Sequence, residues 1–150
     1  MALRFDFLMN LAVDVGEVVS MGAAPLGERR VVSILGGTFE GRSVGGEVLP
    51  GADWQIARKD GVLDIDARYA LKEQGGGLVN VVSQGYRHGS SEVLAALARG
   101  EEVDPTTYFF RTIMRFETGT PYLEWLNRTI AVATAQRKAR QVLLSAYKLL

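Results

Sequence analysis

Residues 53–71 read Asp53-Trp54-Gln55-Ile56-Ala57-Arg58-Lys59-Asp60-Gly61-Val62-Leu63-Asp64-Ile65-Asp66-Ala67-Arg68-Tyr69-Ala70-Leu71, two alternating runs about an Asp-Gly pair. Asp-Gly between such runs is a strong hairpin signal, because the favoured two-residue turn needs positive φ at both positions. A two-residue turn sets Lys59 opposite Val62 and carries the register outward. Asp53 then lies opposite Arg68, Trp54 opposite Ala67, Gln55 opposite Asp66 and Ile56 opposite Ile65. Opposed residues of an antiparallel pair share a face. That register predicts one polar face (Asp53, Gln55, Asp64, Asp66, Arg68) and one apolar face (Trp54, Ile56, Leu63, Ile65, Ala67, Tyr69).

Outward from this hairpin the chain keeps the period of strands. Leu3, Phe5, Phe7, Met9, Leu11, Val13 and Val15 alternate with mostly polar residues, which predicts a long half-buried strand. Gly22 to Arg30 has the composition of a loop, Val31 to Phe39 that of a second strand, and Glu47 to Leu49 that of a short third. Beyond a turn at Gln74–Gly77, Leu78 to His88 forms a further strand. A four-residue loop there would set Arg87 opposite Asp64. A five-residue loop sets Asn80, Gln84 and His88 on the acidic face and leaves Val79 and Val81 beside Tyr69 and Leu71, which favours it.

Ser90 to Arg99 is the one clear helix, with Ser90 to cap it, Glu92 in its first turn and Gly100 to end it. Tyr108 to Thr118 alternates again, and Pro121 starts a short helical turn. Residues 129–150 are rich in good helix formers, yet Ile130, Val132 and Thr134 alternate with small residues. Two closing strands about Arg137–Ala139 fit a mostly antiparallel protein better. The expectation is mainly β: a single antiparallel barrel over residues 1–150, of about nine strands with one short helix, closed so that no edge is left unpaired.

Composition narrows the function classes. Formal charge is zero over 150 residues, so no basic excess exists to hold nucleic acid or acidic lipid. The absence of cysteine and the presence of one histidine predict neither disulfides nor a metal site. No apolar run approaches the length of a membrane span, and the alternating N-terminus lacks the pattern of a signal peptide. A soluble, cytoplasmic protein is expected, and a homo-oligomer is compatible with the sequence. Gly36 to Ser43 superficially matches a phosphate loop, but Arg42 replaces the lysine and Val44-Gly45-Gly46 cannot open a helix. A tight glycine-containing hairpin is the better reading.

Several segments in order carry a family resemblance: Gly36-Gly37-Thr38-Phe39-Glu40-Gly41, Gly46 to Trp54, Asp66-Ala67-Arg68-Tyr69, Gly85-Tyr86-Arg87-His88-Gly89, Tyr108 to Thr112, Arg115 to Gly119 and Trp125 to Arg128. Together they resemble the bacterial domain-of-unknown-function family 3237 over nearly the whole chain, although Met114 stands where that pattern has proline. The resemblance implies a small single-domain β-barrel and no particular activity.

The candidate chemistry lies on the charged strand faces. Asp53, Asp66 and Arg68 on the hairpin, and Arg111, Arg115 and Glu117 on the strand Tyr108–Thr118, each oppose a continuous apolar face. These faces are either solvated outer surfaces with weak cross-strand pairs or the polar lining of a lumen. On the second reading Asp53, Asp66, Glu40 and His88 are the candidate acid–base groups, and Arg68, Arg111, Tyr69, Trp54 and Glu117 the candidate ligand contacts. Asp53, Asp66, Arg68 and Arg111 are expected to converge on one pocket for a small, anionic or aromatic metabolite. Such equipment suits isomerisation, hydration or elimination without a cofactor. A carrier barrel with the same lumen is the alternative.

Overall fold

A computed structural model describes all residues 1–150. Nine antiparallel strands run in the order β1 (Phe5–Ala24), β2 (Gly27–Gly41), β3 (Gly45–Val48), β4 (Gly51–Ala57), β5 (Leu63–Glu73), β6 (Leu78–His88), β7 (Phe109–Glu117), β8 (Ile130–Arg137) and β9 (Gln141–Leu149). Consecutive strands pair, except that β3 and β4 both lie between β2 and β5, and β1 pairs with both β2 and β9, so the sheet closes into a barrel. The helix α1 (Ser91–Ala98) follows β6, with the Ser90 hydroxyl accepting from the Val93 N–H. The C-terminal residues are strands, not helix: β8 pairs with β7 and β9, and its alternate residues Ala131, Ala133 and Ala135 are buried.

β3 and β4 act as one interrupted strand. Both lie between β2 and β5, and they share one register against β2: Glu40 faces Gly45, Gly37 faces Val48, Ile34 faces Gly51 and Glu28 faces Ala57. The interruption falls at Leu49–Pro50, where proline has no N–H for the ladder. Against β5 the register slips there by one residue, from Val48 facing Leu71 to Ala52 facing Arg68. β2 bends at the same level through Gly36 and Gly37, both at positive φ. A Cβ on Gly37 would lie 2.1 Å from the Ala12 carbonyl oxygen, so this crossing of strands requires glycine.

The central hairpin has three loop residues rather than two. The Arg58 N–H donates to the Val62 carbonyl, and Lys59-Asp60-Gly61 forms the loop with Gly61 at φ 88°. That is a tight turn ending in a glycine, the three-residue alternative to the two-residue hairpin. One extra residue moves every partner: Asp53 faces Ala67, Ala52 faces Arg68 and Ile56 faces Asp64. The expected pairs Asp53–Arg68, Gln55–Asp66, Trp54–Ala67 and Ile56–Ile65 are therefore corrected, and β4 is turned over relative to the sequence reading. β5 keeps its expected faces, with Leu63, Ile65, Ala67, Tyr69 and Leu71 all buried.

The next loop is three residues long, Gln74 to Gly76, not four or five. It has the same parity as the favoured five-residue reading, so Tyr69 faces Val81 and Leu71 faces Val79 as expected, and Arg87 faces Leu63 on the inner side. Gly22 to Arg30 is not a loop. β1 and β2 continue through it as a hairpin turning at Pro25–Leu26, and Glu28, Arg29 and Arg30 also pair with β4. From Gly22 to Leu26 every residue is exposed, which removes the alternation that would have revealed strands.

Inside, the two ends of the barrel differ. Met9, Leu71, Val79, Val81 and Met114 fill the end near the Gln74–Gly76 loop, and Leu123 and Leu126 of the 3₁₀ segment Pro121–Arg128 plug it. The other end lies beneath α1 and the β8–β9 turn and is hollow. Two glycine substitutions separate backbone strain from collision. Gly61→Ala has open space around it and should cost about 1 kcal/mol for positive φ alone. A Cβ at Gly85 would sit 1.9 Å from the Arg111 carbonyl oxygen, so Gly85→Ala should lose several-fold more stability in urea denaturation. Equal losses would contradict this strand packing.

Candidate functional site

The hollow end encloses a cavity of about 280 Å³ with a mostly apolar wall from Val13, Val15, Val32, Ile34, Ile65, Leu97, Phe110 and Leu144. Its polar groups are Asp53 and Gln55 from β4, Arg30 from β2, Tyr69 from β5, Ser83 and Arg87 from β6, Thr112 from β7 and Arg137 from β8. Asp53 and Gln55 reach it because the three-residue hairpin loop turns β4 over. Arg137 reaches it because it continues the inward series Ala131, Ala133 and Ala135. Ala98 and Gly100 at the end of α1, Ala139 in the β8–β9 turn and Val18 of β1 ring the mouth. There β1 has parted from β9, whose last pair with it is Asp14–Gln141.

Asp53 is the only carboxylate in this lumen, and its two oxygens are both engaged. Oδ1 accepts from the Asp66 N–H at 3.0 Å and Oδ2 from Gln55 Nε2 at 2.8 Å. Gln55 in turn accepts on Oε1 from Arg30 Nε at 3.2 Å and Nη2 at 2.8 Å, which orients its amide. Burial nonetheless raises the Asp53 pKa above its ordinary value, against the lowering by these hydrogen bonds and by Arg87. A carboxyl group held in place yet harder to ionise is equipped to exchange a proton.

The cations are under-partnered. None of the five salt bridges of the protein involves Arg30, Arg87 or Arg137; all lie on the outer surface. Arg87 Nε and Arg137 Nη1 are buried without an acceptor, and Arg87 packs over the Phe110 ring at 5.7 Å. Burial, with repulsion from Arg137 and Arg30, lowers the Arg87 pKa to about 10, and burial lowers that of Arg137 as well. Both stay charged near neutral pH. The Tyr69 hydroxyl is also buried without a partner, and burial together with Asp53 pushes its pKa upward. Ser83 and Thr112 satisfy one another at 2.9 Å.

Of the nine residues singled out in the sequence, only Asp53 and Tyr69 face this cavity. Asp66 lies on the outer side, where its carboxylate accepts from Arg68 Nε and Gln84 Nε2, and only its backbone N–H touches Asp53. Arg68 is 58% exposed along its side chain. Arg111 donates to its neighbour's carbonyl and lies over Phe109, on an outer groove that also holds Glu40. His88 stacks on Phe109 at 4.7 Å, Trp54 is 44% exposed and Glu117 is exposed. The expected convergence of Asp53, Asp66, Arg68 and Arg111 is thus corrected: strand alternation sends the last three outward. Arg30, Gln55, Arg87 and Arg137 were missed. Parity from a three-residue hairpin loop would have found Gln55, and the alanine series of β8 would have found Arg137. No group of three or more His, Cys, Asp or Glu gathers as a metal site.

A buried carboxyl with a raised pKa binds its proton more tightly in the folded than in the unfolded chain. Its contribution to stability is full below the ordinary value of 3.8 and is lost as pH rises through the raised value. Asp60 and Asp104, whose pKa values hydrogen bonds lower, act in the opposite sense. Urea denaturation between about pH 4 and pH 7 should show wild type losing stability relative to Asp53→Ala as pH rises. A pH-independent difference would mean that Asp53 is solvated.

Comparison with known proteins agrees on the fold. The family model described as "Protein of unknown function (DUF3237)" matches residues 1–149. A UPF0311 protein of Rhodopseudomonas palustris (strain ATCC BAA-98 / CGA009) is 39% identical over 149 residues, 99% of this chain and 97% of its own. A crystal structure of a conserved protein of unknown function from Rhodopseudomonas palustris superposes with a TM-score of 0.94 at 38% identity, over 100% of this chain and 99% of the other. A beta-barrel like protein from Acinetobacter baumannii AYE superposes with a TM-score of 0.87 at 42% identity, over 100% and 98%.

Proposed function

This chain belongs to the DUF3237 family of proteins of unknown function, and on that premise we propose that its lumen binds a small organic molecule, anionic or aromatic, and moves a proton on it through Asp53. The observation that carries this reading is a single carboxyl group, raised in pKa, inside a cavity whose other polar groups are cationic or neutral donors. A barrel of this size fills its interior with side chains unless the space serves a ligand.

Asp53 keeps one lone pair on each oxygen in fixed hydrogen bonds and has the others for the bound molecule. As the carboxylate it removes a proton from carbon or from an attacking hydroxyl, and as the acid it returns one. Negative charge that develops on a substrate oxygen meets Arg87, Arg137 and the Tyr69 hydroxyl, each of which buries a donor that has no partner within the protein. Isomerisation, hydration and elimination all fit this equipment, and none of them requires an added cofactor.

The apolar majority of the wall, 14 hydrophobic residues of 22, gives weight to a second reading: a carrier that binds without chemistry. Asp53→Asn separates the two. For a ligand found by thermal-shift screening of metabolites, wild type in heavy water should catalyse turnover or deuterium incorporation, followed by proton NMR. Asp53→Asn should lose at least 100-fold of that rate, the usual scale of acid–base catalysis, while its affinity changes little. Binding without exchange or turnover in wild type would favour the carrier.

A further inference from the structure

We propose that the molecule this lumen accepts is an arenecarboxylate, its carboxylate seated between Arg87 and Arg137 and its ring against the apolar wall. The inference rests on the preceding reading of the lumen as a ligand site and names the class of ligand.

Charge decides the head group. Three guanidinium groups face one carboxylate, and that carboxylate already accepts two hydrogen bonds from Gln55 and the Asp66 N–H. Arg30 spends two donors on Gln55 Oε1, whereas Arg87 Nε and Arg137 Nη1 are buried with no acceptor. Unpaired buried donors are costly, and two guanidinium groups side by side repel, so an anion between them relieves both penalties. The planar guanidinium fork matches a carboxylate, which has two coplanar oxygens to share between the two arginines.

Shape decides the body. A cavity of about 280 Å³ is nearly twice the roughly 150 Å³ that holds benzene in an apolar protein site. Val13, Val15, Ile34, Leu144 and the Phe110 ring supply flat and branched apolar surface. A bare inorganic anion would leave that surface empty. A neutral ring would leave the two arginines unanswered. Arg137 sits close to the mouth formed by Ala139 and Gly100, so the carboxylate docks near the opening and the ring extends inward toward Tyr69 and Asp53.

Calorimetric titration of the purified protein near neutral pH, with 2-naphthoate and 2-naphthamide as probes, tests this. The naphthoate should bind at least tenfold more tightly than the isosteric amide, and inorganic phosphate should not displace it. Arg87→Met and Arg137→Met should each weaken naphthoate at least tenfold, with far-UV circular dichroism confirming the barrel, while Arg68→Met on the outer face changes nothing. Equal binding of acid and amide, displacement by phosphate or no binding of naphthoate would each overturn the proposal. Because these comparisons use wild type, they stand even if an arginine variant fails to fold. If naphthoate binds wild type and no proton transfer is found with any ligand, the catalytic reading fails alone; if another ligand exchanges protons but naphthoate does not bind, the arenecarboxylate fails alone.

Discussion

Strict alternation of side chains along a strand is the constraint on which this barrel's interior depends. A residue can be moved from the outer to the inner face only by slipping the register one position. The chain does so where Gly36–Gly37 and Leu49–Pro50 lie beside each other in neighbouring strands, and the loop Lys59-Asp60-Gly61 matches the register that results. Below the slip, Phe39 and Val48 face inward and pack. Above it, Arg30, Asp53 and Gln55 face inward and leave a polar lumen. The same backbone feature divides the molecule into a solid end and a hollow end.

The hollow end is an energetic liability in the empty protein. Burying an ion costs several kcal/mol even after relaxation, unless good partners answer it. Here Arg30, Gln55 and Asp53 are linked by hydrogen bonds, yet two arginines and a tyrosine each bury an atom with no partner. Apolar residues at those places would fill the barrel and stabilise it. Groups that lower stability without serving the fold are the groups expected at a binding or reaction centre, where strain and unpaired donors are resolved by the ligand.

Most of the fold was legible because the strands with one dry and one wet face alternate cleanly. β5, β6 and β7 have the faces their sequences imply, and the choice between strand and helix for residues 129–150 followed from Ile130, Val132 and Thr134. The hairpin tip at Gly22–Leu26 was illegible because a strand wet on both sides has no pattern to show. The site was misplaced for a narrower reason. Asp60-Gly61 supports a two-residue turn as well as the end of a three-residue one, and that single residue exchanges Trp54 for Gln55 as the inward side chain. Charge patterning then misled: Asp66, Arg68, Arg111 and Glu117 form a regular outer surface, whereas the lumenal Arg30, Arg87 and Arg137 come from three separate strands with no local signature. Hydropathy patterning detects a buried apolar face, but it assigns a buried charge to the outside by default.

The central claim is that Asp53 is the one carboxyl group inside a cation-lined lumen. Carbon-13 NMR of the aspartate carboxyl carbons, titrated across the acid range and assigned with Asp53→Asn, measures this directly. The structure predicts that the Asp53 resonance titrates above the ordinary aspartate value of 3.8. A resonance that titrates at or below that value would place the carboxylate in solvent or in a tight ion pair, and would contradict the register from which the site is built.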